Sequence, residues 1–266
     1  PAAPTVTLSA TQAVVTDAAF NVALGANKAV GDVVQLQVGG ANVGTAVTLD
    51  AAAVTAGTVS ISIVKTALAA GANTVTAIVT DAVGNVGTAS ANLPITYASG
   101  TVSDGYLDGA TVWVDMDNNG QVSSGDIQLD TTAKGIWDGV RDAATAGKDL
   151  IIVGGTDIST GLAFSGSMSA PAGSTAINPL TTMMEAIIEK TGGTAAAAQS
   201  KLAAALGLPT DVDLTTFDMV GATLAKDGTV NTNITQAEAI GMQAKALMLA
   251  NMIAAGVSAL DGAHAG

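Results

Sequence analysis

From Thr5 to about Ala98, apolar and polar positions alternate with the period of a strand. The runs TVTLSA, FNVALG, VVQLQVGG, GTAVTLD, GTVSISIV, NTVTAIVTD and ANLPITYA are separated by Gly, Asn and Asp turns. About seven short strands at this spacing predict a β-sandwich. A break at YASGTVSDGYLDG (97–109) opens a second segment, with strands expected at 111–114, 127–129, 135–137, 150–153 and 162–165. From about Ser174 the period turns helical. In INPLTTMMEAIIEKTGG, Asn178 is placed to cap a helix, Pro179 to begin it and Gly192 to end it. TAAAAQSKLAAALGLP ends the same way at Gly207 and Pro209, LTTFDMVGATLAKDG is a weaker third helix, and the capping box Thr235-Gln-Ala-Glu238 starts a fourth running to about Leu260. The pattern predicts a mainly β fold with a C-terminal α part. Its expected parts are a sandwich over 1–98, a small β-sandwich over 99–173 and a helical bundle over 174–266.

Composition sharpens this picture. Hydrophobic residues make up 48% of the 266 positions and aromatics only 3%, so the cores must be built from Ala, Val, Leu and Ile. The net charge of −13 repels phosphate backbones and anionic head groups. Neither nucleic acid nor membrane insertion is expected, because no apolar run approaches the roughly 20 residues that span a bilayer. The absence of Cys removes disulfides, thiolate metal sites and cysteine nucleophiles. Pro1 in place of Met points to a processed or excised chain.

Of the 22 acidic residues 19 are Asp, a turn-forming residue, and ten of these lie between Thr101 and Asp157 against Lys134, Arg141 and Lys148. The densest stretch, DMDNNGQVSSGD (115–126), directly follows the strand-like GATVWV. Asp115, Asp117 and Asn119 occupy positions 1, 3 and 5 of a calcium loop, Gly120 the sharp turn at 6, the Gln121 carbonyl 7, Ser123 9 and Asp126 12. Alternating oxygens at this spacing wrap one hard cation, and Ca²⁺ is the expected ligand. Asp at position 12 has a shorter reach than the usual Glu, which weakens Ca²⁺ or favours a smaller ion. Strand-like flanks leave no helix to swing open, so a structural site is expected. A solvated hairpin tip is the competing explanation, since turns select the same residues. Asp104, Asp108 and Asp130 are further acids in reach of a second shell, better read as surface turns.

Two resemblances follow from these residues. LAAGANTVTAIVTDAVGNVGTAS is similar to the end of the immunoglobulin-like repeats of giant bacterial surface adhesins, a likeness that covers nearly all of 4–98. GYLDGATVWVDMDNNGQVSSGD followed by LDTTAKGIW resembles the calcium-bearing β modules of bacterial surface proteins, including serine-aspartate repeat and carboxypeptidase-regulatory-like domains. That likeness spans about 102–170 and implies a transthyretin-like sandwich with the cation loop at one end. VGGTDISTGLAFSGSMSAPAGSTAINPLTTMMEAI looks like a continuation found in large secreted proteins of adhesin or surface-layer type. In tandem adhesin repeats the poles often hold cations, which makes Asp81 and Asp17 weak candidates beside a plain turn.

No catalytic set is expected. His264 is the only histidine and lies two residues from the end, which leaves no triad or histidine-rich metal site to assemble. Glu185 and Glu189, four apart, are expected to form a solvated stripe next to Lys190. Met183, Met184, Met242, Met248 and Met252 are expected to fill a core, with an adaptable groove as the alternative. Asn233-Ile234-Thr235 fits a glycosylation acceptor but coincides with a helix start. The expected function is that of a non-enzymatic, extracellular, cell-surface structural protein, stabilised by calcium and assembling with copies of itself into a surface layer, filament or matrix. The alternative is an adhesin module that recognises a cell-surface glycan or protein. An enzyme such as a glycosidase is disfavoured by the scarcity of aromatics to stack on sugar rings.

Overall fold

The computed structural model describes residues 1–9, 16–224 and 234–264, with side chains described up to Met252. The fold is mainly β, with several sheets and helices gathered toward the C-terminus. The chain divides into two compact units, one of residues 1–98, 127–130 and 138–146, the other of 99–126, 131–137 and 147–266.

In the first unit, Asp17–Ala23 lies between Thr5–Leu8 and Thr58–Val64 in an antiparallel three-stranded sheet. Gly71–Thr80, Val33–Val38 and Ala41–Thr48 lie side by side, antiparallel and in that order, in a larger sheet. Alternation puts every second side chain on one face: Ala18, Phe20 and Val22 from one sheet, with Val75, Ala77 and Val79 from the other, fill one apolar core. Helix Ala51–Ala56 interrupts the strands, capped by Asp50, whose carboxylate accepts from Ala53 N, and stopped by Gly57 at φ 73°. The sequence pattern does not predict it, because six residues with none buried carry no apolar period.

In the second unit, Asp149–Val153 pairs antiparallel with Thr111–Asp115 on one side and Ser167–Ala170 on the other. The expected strand at 162–165 does not form. Only Ala163 bridges to Thr156, and the strand is instead Ser167–Ala170, where Met168 and Ala170 are buried in alternation. Helix Pro179–Thr191 starts as expected. Asn178 accepts from Leu180 N and Thr181 N, Thr181 completes a capping box, and Gly192 ends the helix at φ 65°. The hydroxyls of Thr181 and Thr182 also donate to Ser169 O, at 2.9 and 3.3 Å, tying the helix to the neighbouring strand. Ala195–Leu206, Met219–Leu224 and Gln236–His264 follow, the last opened by reciprocal Thr235–Glu238 hydrogen bonds. Leu180, Met184, Leu202, Phe217, Met219, Met242 and Leu249 form the helical core. Met184 and Met242 fill it as expected, whereas Met248 and Met252 are exposed. Asn233 lies outside the described residues, as does the His264 side chain.

Candidate metal centre

The acidic loop begins where the strand Thr111–Asp115 stops. Strand alternation buries Val112 and Val114 on one face, and Asp115, which alternation points to the opposite face, is buried as well, only 2% exposed. Burial of a carboxylate requires donors, and the next turn supplies them. Asn119 N donates to Asp115 Oδ1 at 3.2 Å and Gly120 N to Oδ2 at 2.9 Å. To bring both N–H groups round, the chain passes through left-handed conformations at Asn118 (φ 54°) and Gly120 (φ 73°). Asn tolerates that region and Gly occupies it without a Cβ penalty.

The other polar positions of the loop fold back on the same point. Asp117 Oδ2 accepts from Asn119 Nδ2 at 2.8 Å and from Ser123 Oγ at 3.3 Å. Asn119 Oδ1 accepts from Gln121 N at 2.7 Å. Asp126 accepts from Met116 N at 2.9 Å and Ser123 N at 2.6 Å. One carboxylate oxygen each from buried Asp115, exposed Asp117 and half-buried Asp126 lies within 4.8 Å of the others, close enough to share a metal ion. Ser123 stands beside them through its bond to Asp117. Gln121 is exposed and makes its recorded bond through the main-chain N–H. Among the positive groups, Lys148 Nζ donates to Met116 O at 2.7 Å. Three anions held this close repel one another unless a cation or protons intervene, and an all-oxygen donor set suits a hard cation.

The helix Pro179–Thr191 adds carboxylates that the sequence reading places in solvent. Glu185 is not part of a solvated stripe. It is 6% exposed, because it lies one turn along the same helix face from buried Thr181. Burial first, then the charges of Asp149 and Glu189, push its carboxyl up to about 7. Glu189, one turn on, is exposed, and its Oε1 would stand 3.7 Å from a Cβ on Gly120. Asp149 is the cross-strand partner of Asp115.

The remaining acids lie elsewhere. Asp130 is buried and pairs with Lys65, Asp108 accepts from Lys134 N, and Asp104 is half-buried near Asp157. Asp81 closes its own turn, accepting from Val83 N and Asn85 N, while Asp17 begins a strand. No helix among the described residues is long and apolar enough to cross a membrane. No protein-family model and no curated protein matches the chain.

Proposed function

We propose that the loop 115–126 is a structural calcium site in a non-enzymatic, extracellular protein of bacterial surface type that assembles with copies of itself. The observation that carries the cation part is the convergence of Asp115, Asp117 and Asp126 within 4.8 Å on a turn shaped by Gly120. The likeness of the loop and its flanks to calcium-bearing β modules, and of residues 4–98 to immunoglobulin-like adhesin repeats, supports the extracellular scaffold. In this reading the first unit is an immunoglobulin-like sandwich, and the strands around the loop belong to a calcium module.

The mechanism is mass action. Ca²⁺ neutralises three carboxylates that otherwise repel and binds the ordered loop in preference to the unfolded chain. A hundredfold excess of free ion over the dissociation constant stabilises the fold by about 2.7 kcal/mol. Millimolar calcium outside cells saturates even a weak site. A stiffened loop then fixes the surface offered to neighbouring copies. Thermal unfolding with light scattering, in chelator and then in rising Ca²⁺ with Mg²⁺ as control, tests both parts. A melting point that rises with Ca²⁺ in the wild type but not in Asp117→Ala supports the site, and scattering that grows in step supports assembly. A flat response leaves an ordinary acidic turn.

A further inference from the structure

The second unit holds a pair of carboxyl groups that the loop does not use. Glu185, on the helix Pro179–Thr191, reaches Asp149, at the start of the strand Asp149–Val153, and the two carboxyl groups are in hydrogen-bonding contact. Asp149 is already fixed from the other side, since its Oδ1 accepts from Ala172 N at 2.8 Å. Glu185 Oε2 is buried and receives no hydrogen bond, in a residue only 6% exposed. Such an acceptor is costly to leave bare. Asp115 lies across the strand pair from Asp149 and acts on Glu185 electrostatically, while Glu189 adds further negative charge from one turn along the helix.

We propose that Glu185 and Asp149 hold a second hard divalent cation, Ca²⁺ or Mg²⁺, next to Asp115 and distinct from the ion of the loop. A metal there gives Glu185 Oε2 its missing partner and offsets two carboxylates pressed together. It also cross-links the helix to the strand that pairs with the loop's own strand. Two protein carboxylates with water filling the remaining positions is a coordination that Mg²⁺ accepts readily, and Ca²⁺ tolerates it. The proposal deepens the cation reading of the loop, with Asp115 between the two ions.

Isothermal titration of the metal-stripped full chain with Ca²⁺ and, separately, Mg²⁺ tests it, alongside Asp117→Asn for the loop and Glu185→Gln and Asp149→Asn for the pair. Circular dichroism checks that each variant is folded, and using two pair variants guards against one that fails to fold. The expected result is two ions per wild-type chain. Glu185→Gln and Asp149→Asn each lose one ion and keep the loop's ion, while Asp117→Asn loses or weakens the loop's ion and keeps the other. One ion per chain, lost in Asp117→Asn and unaffected by Glu185→Gln, overturns the second site and leaves the loop reading standing. One ion weakened by both substitutions puts Glu185 on the loop's ion and also overturns a separate site. No binding of either metal overturns both readings.

Discussion

Asp126 closes the acidic loop onto Met116: its Oδ1 accepts from Met116 N at 2.9 Å, ten residues back along the chain, while Oδ2 accepts from Ser123 N at 2.6 Å. These bonds hold the loop shut through main-chain donors, independently of an ion. Asp126→Ala leaves two part-buried N–H groups without their acceptor, which costs about 1–3 kcal/mol. Urea unfolding in chelator measures this directly. An Asp126→Ala variant as stable as the wild type would show that the closure contributes nothing to the fold.

Asp117 separates charge from closure. It is exposed and takes its recorded bonds from two side chains within the loop. Asp117→Asn removes one of three mutually repelling charges, so in chelator its melting point should equal or exceed that of the wild type. In saturating Ca²⁺ the order should reverse, because the variant loses a charged ligand. Melting curves in the two buffers, read as a difference of differences, check the crossing. Parallel behaviour in both would mean that the three carboxylates do not share an ion.

Much of this was legible in the chain. Strand alternation, the Asn178-Pro179 start, the Gly192 stop and the spacing from Asp115 to Asp126 are local signals, and local hydrogen bonds realise them. Glu185 was misjudged because its four-residue spacing from Glu189 mimics a surface stripe. The better signal was its four-residue spacing from Thr181, which puts it on the buried face. That Asp149 meets it depends on pairing between strands distant in sequence, which no local pattern encodes. The strand expected at 162–165 failed for a related reason: its apolar residues Leu162, Ala163 and Phe164 do not alternate, whereas Met168 and Ala170 do.

Asp104 supplies a pH dependence away from the loop. Burial first, and then the negative charge of Asp157, raise its carboxyl above 3.8. The folded state therefore holds this proton more tightly than the unfolded state does. The resulting stability is present below 3.8 and is lost as pH rises through the folded value. At neutral pH the charged, half-buried group is a net cost. Asp104→Asn should thus melt higher than the wild type at pH 7, with the gap narrowing toward pH 4. Melting points across that range in chelator check it, and a gap that widens on acidification would reverse the sign.

Lys65 is a buried cation of the first unit. It is 2% exposed, and its Nζ lies 2.6 Å from Asp138 Oδ1 and 3.6 Å from Asp130 Oδ1. Tyr97 donates to the other oxygen of Asp138, and Asp138 N donates to Asp130. Lys65→Met removes the ammonium beside the buried Asp130 carboxylate and should cost about 3–5 kcal/mol. Lys65→Met with Asp130→Asn removes both charges and should recover a large part of that loss. Equilibrium denaturation of the single and double variants measures the coupling, and additive losses would mean that the pair is not coupled.

Gly100 tests backbone approach instead of charge. A Cβ at this position would overlap Thr175 O and lie 2.8 Å from Trp137 Nε1. The first neighbour is main chain, and Thr175 O also accepts from Thr101 N at 2.8 Å, next to the parallel pairing of Thr101 with Ala176. Room for a methyl group therefore exists only if that pairing moves. Overpacking of this kind costs about 1–3 kcal/mol or more, so Gly100→Ala should fall at or above the top of that range. Gly147→Ala is the control, since nothing lies within 4 Å of its Cβ position and its φ is not in the left-handed region. There the loss of unfolded-state freedom should leave stability unchanged or raise it by about 0.4–1 kcal/mol. Equal effects at the two glycines would show that the chain at Gly100 yields readily, and that the contact with Thr175 does not fix the position of the strand.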